Sequence, residues 1–276
     1  MPKMAPELHP VALTIAGSDS GGGAGIQADL RAFRDFGIHG CSAITALTAQ
    51  NPHGVRAIQA TEPEILRAQL EAVAEDFALG AVKTGMLLNE RLIAEVANFR
   101  RALPEVPWVV DPVMIATSGA RLLEPEAIAR MESNLLPFAT LITPNIPEAV
   151  ALLGEADAPA SVATMRTLAE RLAERLGVPV LLKGGHFAEA PALDLLAQPG
   201  YAPIELREES VCAPLTTHGT GCALSSAIAA NLALGRDLPS AIRMAKRYIV
   251  HLLSRTQLAG RAAVYAQVPF QPGSRS

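Results

Sequence analysis

Residues 217–222 read THGTGC and lie directly before the apolar run ALSSAIAANLALG, so this hexapeptide opens a helix. The first turn of a helix leaves backbone N–H groups without intrahelical partners, and the aligned peptide dipoles add partial positive charge there. Gly219 and Gly221 carry no Cβ, which lets a bulky anion such as a phosphate approach the backbone. Cys222 sits where a thiol's pKa is lowered, so it is a candidate proton acceptor; a small hydrophobe closing the helix is the other reading.

Other residues with chemical potential fall at similar junctions. The glycine cluster GSDSGGGAGIQAD (17–29) follows an apolar run and opens a second helix, where α/β sheets bind ligands. Gly23, Gly25 and Ala28 satisfy GxGxxA, yet ITALTAQNPHG offers no acid for a ribose, so a nicotinamide cofactor is not expected. No GxxxxGK[ST] occurs. Asp29, in the first turns of that helix, can read N–H groups of a small polar ring or compensate the helix dipole. Gln50 ends the next strand, where an amide can both donate and accept toward a heterocycle, or form a turn. Asp111 follows a buried strand in VVDPV, and TPNIPE places Asn145 and Glu148 at a strand-to-helix junction. Asp111 and Glu148 together can hold a hydrated Mg²⁺; alone, Glu148 is an ordinary first-turn acid. Lys183 ends a strand before two glycines, a position from which a point charge reaches phosphate oxygens. His186 and His218 have no metal-ligand spacing and are read as structural.

These positions need an alternating scaffold, and the chain supplies one. Apolar runs at VALTIA (from Val11), CSAITALTA (Cys41), AVKT (Ala81), WVVD (Trp108), TLIT (Thr140) and VPVLLK (Val178) alternate with helical patterns. That alternation predicts a mostly parallel sheet covered by helices. The clearest helix begins at Val162, with Ser161 as N-cap and Gly177 and Pro179 as the stop. FAEAPALD and AQPGYAP read as hairpin or loop excursions. No linker divides the 276 residues, so one domain over 1–268 is expected, with a disordered tail over 269–276.

Half of the residues are hydrophobic and 18% charged; the net charge of -4 and the lack of a basic block argue against nucleic acid. Three cysteines, Cys41, Cys212 and Cys222, give neither a disulfide framework nor a zinc site, which fits a reducing cytoplasm. No signal peptide or membrane span is read.

Taken in order, TIAGSDSGGGAGIQADL, ITALTAQN, KTGML, DPVM, TPNIPEA, LKGGH and THGTGC resemble the hydroxymethylpyrimidine and phosphomethylpyrimidine kinases of thiamin biosynthesis, in the ribokinase-like superfamily. The resemblance spans about residues 11–258. It implies a three-layer α/β/α fold, ATP and Mg²⁺ as cosubstrates, a homodimer, and two successive phosphoryl transfers to one pyrimidine. By similarity, the N–H groups of Gly219, Thr220, Gly221 and Cys222 form an anion hole and Cys222 takes the hydroxymethyl proton. Gln50 and Asp29 then look like pyrimidine readers, with Gly17 and Met86 beside the ring. Lys183, Asn145 and Thr220 look like nucleotide contacts, and Glu148 and Asp111 like supports for Mg²⁺. Thr216 stands where the family usually has Asn, and SDSGGG replaces the DPSGG of some members. A pyridoxal kinase is the rival, since similar enzymes share the HGTGC ending; a non-catalytic sensor would be marked by loss of Lys183, Glu148 or the glycines, all of which are present.

Overall fold

The computed structural model describes residues 9–114, 123–185, 187, 189–208, 214–266 and 270. His186, Cys212 and most of the segment read as a tail lie outside them. Phe270 does not: its ring packs 5.2 Å from Phe36 and 5.3 Å from Tyr248.

Among the described residues the central sheet has nine strands. Strands β1 (Val11–Asp19), β2 (His39–Asn51), β4 (Leu79–Thr84), β5 (Trp108–Val110), β6 (Leu141–Ile142) and β7 (Val180–Lys183) run parallel in the order β2-β1-β4-β5-β6-β7. Strand β3 (Gly54–Ala60) lies antiparallel on the β2 edge, and β8 (Leu193–Gln198) and β9 (Tyr201–Arg207) continue antiparallel from β7. The last pair is the hairpin foreseen around AQPGYAP, turning at Gly200 with φ +77°. Strand β3 was not foreseen, because its residues are mostly exposed and carry no run of buried apolar side chains.

Alternation along the strands divides the core into two layers. Leu13, Ile15, Val82, Trp108, Val110, Ile142, Val180 and Leu182 face α2 (Pro63–Asp76), α3 (Glu90–Ala102), α4 (Pro125–Asn134), α5 (Ile146–Leu153) and α6 (Val162–Leu176). Ala12, Ala81, Val109, Leu141 and Leu181 face α1 (Gly25–Asp35), α7 (Thr220–Ala233) and α8 (Leu238–Leu253). The result is the expected three-layer α/β/α architecture. A short hairpin of β10 (Thr256–Ala259) and β11 (Ala262–Tyr265) follows α8. Ser161 caps α6 by accepting from the Thr164 N–H, and Gly177 ends it in the left-handed region, as its sequence signals require.

Helix α7 is buried along most of its length, with Ala223 to Asn231 all inside. A helix buried on every face is enclosed by its neighbours, and its start packs at Gly219 against Gly23, just after β1, at the carboxyl edge of the sheet. Among the described residues no helix is long and apolar enough to cross a membrane.

Candidate active site

Two glycine turns meet at that edge. Gly219 precedes α7 with φ +82°, and a Cβ there would overlap the Gly23 carbonyl oxygen. Only glycine satisfies both conditions. Gly25, at φ +57°, likewise packs on the Gly17 carbonyl. Between the turns opens a cavity of 890 Å³ bearing Gly17, Gln50, Met86, Asp111, Asn145, Glu148, Lys183, Gly219, Thr220, Gly221 and Cys222 among its lining residues. The sequence-derived candidates thus converge on one site, with one exception.

The exception is Asp29. Its carboxylate is fully buried and accepts from Lys83 Nζ at 2.8 and 2.7 Å, from Ser226 Oγ at 2.6 Å and from Thr14 Oγ1 at 2.6 Å. With its oxygens taken up by these donors and no place on the cavity wall, it does not present itself to a ligand. Asp29 starts on the buried side of α1, and this corrects its reading as a pyrimidine contact.

At the pyrimidine end proposed from sequence, Gly17 abuts Met86: a Cβ on Gly17 would overlap Met86 Cε. Gln50 Oε1 accepts from Thr48 Oγ1 at 3.3 Å, and Gln50 Nε2 lies 3.4 Å from His218 Nε2. That same His218 nitrogen is 3.3 Å from Asp19 Oδ2. Burial alone would raise the Asp19 pKa, but His218 and the N–H groups of Ala24 and Gly21 outweigh it and hold the carboxyl below its ordinary value. Asp19, which the sequence reading passed over, and His218, which it read as structural, both line this cavity. An aspartate just ahead of three glycines, accepting from the Gly21, Gly23 and Ala24 N–H groups, was the available signal.

At the other end, Asn145 caps α5. Its Oδ1 accepts from the Glu148 N–H at 2.8 Å, and Glu148 Oε2 accepts from the Asn145 N–H at 2.8 Å. Lys183 Nζ donates to Asp111 Oδ1 at 2.8 Å, which also accepts from Thr143 Oγ1 at 3.0 Å. Burial pushes the Glu148 carboxyl up to about 7, with Lys183 opposing and Asp111 adding to the rise. Asp111 and Glu148 raise the Lys183 pKa despite its burial, so it carries its charge. Gly221 sits over this group, its missing Cβ 3.4 Å from Lys183 Nζ and 3.9 Å from Asp111 Oδ2. Among the described residues no cluster of three or more His, Cys, Asp or Glu side chains could hold a metal ion. Lys246 and Asp194, paired at 2.6 Å, also line the cavity, together with Ile249 and Leu253.

Two expectations for the helix start need correction. Thr220 directs both its N–H, at 3.3 Å, and its hydroxyl, at 2.9 Å, to the Thr217 carbonyl, so neither donor faces the cavity. Gly221 and Cys222 keep the N–H groups that a helix start leaves open. Cys222 is half-buried, and burial pushes its thiol up to about 11 rather than down. Lys83 and the Gly25 N–H favour the thiolate, while Asp29 and Asp111 oppose it. Burial outweighs the helix-terminal effect on which the sequence argument relied.

Comparison with known proteins bears on this geometry. The family model for phosphomethylpyrimidine kinase matches residues 19–265. A hydroxymethylpyrimidine/phosphomethylpyrimidine kinase from Rhizobium meliloti (strain 1021) is 45% identical over 245 residues, covering 87% of this chain and 88% of its own. The crystal structure of the phosphomethylpyrimidine kinase of Clostridium difficile 630 superposes with a TM-score of 0.75 at 42% identity, covering 87% of this chain and 97% of that one. The ADP complex of Bacillus subtilis pyridoxal kinase gives 0.83 at 33% identity, covering 94% and 97%.

Proposed function

The chain belongs to the phosphomethylpyrimidine kinase family, and we propose that it phosphorylates 4-amino-5-hydroxymethyl-2-methylpyrimidine and then its monophosphate with ATP, as a step of thiamin biosynthesis. The observation that carries this reading is that Gln50 and Cys222 line one cavity, bringing a side-chain amide and a thiol at a helix start to the same site. An aminopyrimidine places a ring-nitrogen acceptor beside an exocyclic amino donor, and a glutamine amide is the complementary pair.

In the first transfer the hydroxymethyl oxygen attacks the γ-phosphorus, the bridging oxygen leaves with ADP, and the hydroxyl proton passes to Cys222 Sγ. The open N–H groups of Gly219, Gly221 and Cys222 and the Lys183 ammonium gather the charge of the transferring group, where alignment and charge stabilisation are the main requirements. Lys183 and the free amide donors of Asn145 contact the nucleotide phosphates. Glu148 and Asp111 would hold a divalent ion: two buried carboxylates feel the charge of Lys183, and among the described residues Glu148 Oε1 accepts only from the Met114 N–H, at 3.5 Å. Mg²⁺, which commonly completes its shell with water and phosphate oxygens, would need no larger protein cluster and would neutralise phosphate charge.

The higher TM-score to a pyridoxal kinase supports a second reading, phosphorylation of pyridoxal. Coupled measurement of ADP release with hydroxymethylpyrimidine, its monophosphate and pyridoxal separates the two; a kcat/KM that favours pyridoxal overturns the first. We further infer, from the family resemblance, a single domain, a homodimer and a cytoplasmic location. Light scattering on eluting protein reads the dimer directly.

A further inference from the structure

An ion pair at the cavity wall, between Lys83 and Asp29, has no part in the transfer as described above. Lys83 is a lysine inside a strand buried on both faces, with its side chain 0% exposed, and it contacts both oxygens of Asp29. Removing such a pair from water is expensive, and well-packed apolar residues often stabilise a core as well or better. Stability is therefore a weak reason for its presence. Its location is informative. Lys83 belongs to the wall of the cavity, whereas Asp29 lies behind it. An ammonium has three donors, and the third lies outside the pair. Gly85, two residues on, leaves room for this group: a Cβ there would stand 2.9 Å from Lys83 Nζ.

The pair is also fastened to the helix that carries the thiol. Ser226 Oγ donates to Asp29 Oδ1 at 2.6 Å, and Ser226 lies four residues after Cys222, on the same helix face. The charged groups around Cys222 come from every side: Lys83 from β4, Asp29 from α1, Asp111 after β5 and Lys183 from β7. Lys83, which lines the same cavity as Cys222, favours the thiolate, and Asp29 behind it opposes the thiolate.

We propose that Lys83 and Asp29 form a buried charge pair that sets the reactivity of Cys222, with Lys83 as a positioning residue for the thiolate and Asp29 as its counterweight. The proposal deepens the reading of Cys222 as proton acceptor, but its test does not depend on turnover. The reaction is alkylation: the Cys222 thiolate displaces iodide from iodoacetamide, forming a thioether, and peptide mapping isolates Cys222 from Cys41 and Cys212. At pH 8.5, Lys83→Gln should slow labelling and Asp29→Asn should speed it. Each unit of thiol pKa moves the rate by about threefold, because the gain in thiolate fraction is partly offset by weaker nucleophilicity.

Opposite signs are the discriminating outcome, since loss of a merely structural pair would loosen the site in the same direction in both variants. The double variant Lys83→Met with Asp29→Asn leaves no unpaired buried ion, so it tests the idea even where a single variant fails to fold. It should label more slowly than the parent, because Lys83 shares the cavity wall with Cys222 whereas Asp29 lies behind it. Equal labelling in the folded double variant, or single variants that shift together, overturns the proposal. If the signs hold while Cys222→Ser turns over at the parent rate, the pair stands and the proton-acceptor reading falls.

Discussion

A thiol held near 11 has a kinetic signature. At pH 8 only about one molecule in a thousand carries the thiolate, and each unit of pH multiplies that fraction about tenfold. The sign is unambiguous: a raised thiol pKa keeps the proton on sulfur up to higher pH, so activity that needs the thiolate rises with pH. With saturating Mg·ATP, phosphorylation of hydroxymethylpyrimidine should therefore increase about a hundredfold from pH 7 to pH 9. The monophosphate provides an internal control. Its attacking oxygen belongs to a phosphate with a second pKa near ~6, already ionised across this range, so its rate should stay nearly flat. Cys222→Ser should lower the first transfer by about 10²–10⁴-fold, the usual worth of general-base assistance, and affect the second less. The assay is coupled ADP release at several pH values, with stopped time points resolving the two products. A flat profile for the first transfer, together with parental rates in the serine variant, refutes the reasoning; the thiol would then be packing.

Lys183→Ala should abolish most ATP turnover while the protein still melts cooperatively, and unchanged ADP release removes Lys183 from the site. Gln50→Ala should weaken hydroxymethylpyrimidine binding by about 1–3 kcal/mol, the effect of leaving a buried polar partner unpaired, and calorimetry reads it. Glu148 has a raised pKa, so it gains protons on folding and its contribution to stability falls as pH rises from about 4.5 to about 7. Glu148→Gln should accordingly raise the unfolding free energy of the nucleotide-free protein at pH 8 by up to about 3 kcal/mol, with little gain at pH 4.5. Equal melting shifts at both pH values count against that account.

The mostly parallel sheet and the residues that line the cavity were legible because each strand end carries its own local signal. Lys183 before two glycines, Asn145 three residues before Glu148, and THGTGC before an apolar helix all state their position within a few residues. What escaped was set by partners far away in sequence. Asp29 has the pattern of a helix-start acid, and nothing near it reveals that Lys83 and Ser226 will enclose it. Lys83 itself offered a usable signal, a charge inside AVKT where both strand faces are buried. The Cys222 pKa failed for a quantitative reason, since the helix-terminal effect is local and readable whereas burial depends on the whole packed site. Strand β3 escaped because an edge strand needs little apolar patterning to pair on one side.

The contact between the two glycine turns also governs when the site can exist during synthesis. Asp19 and His218 are 199 positions apart, and Gly219 rests on the carbonyl of Gly23. A ribosome adding about 5–20 residues per second leaves the first turn without its cover for roughly 10–40 seconds. During that interval β1 can pair with β2 and β4, but the buried pair of Asp29 and Lys83 lacks Ser226 and the enclosing helix. Chains halted before α7 should bind neither nucleotide nor pyrimidine, however complete their sheet, and ligand can favour the native state only once almost all of the chain has emerged.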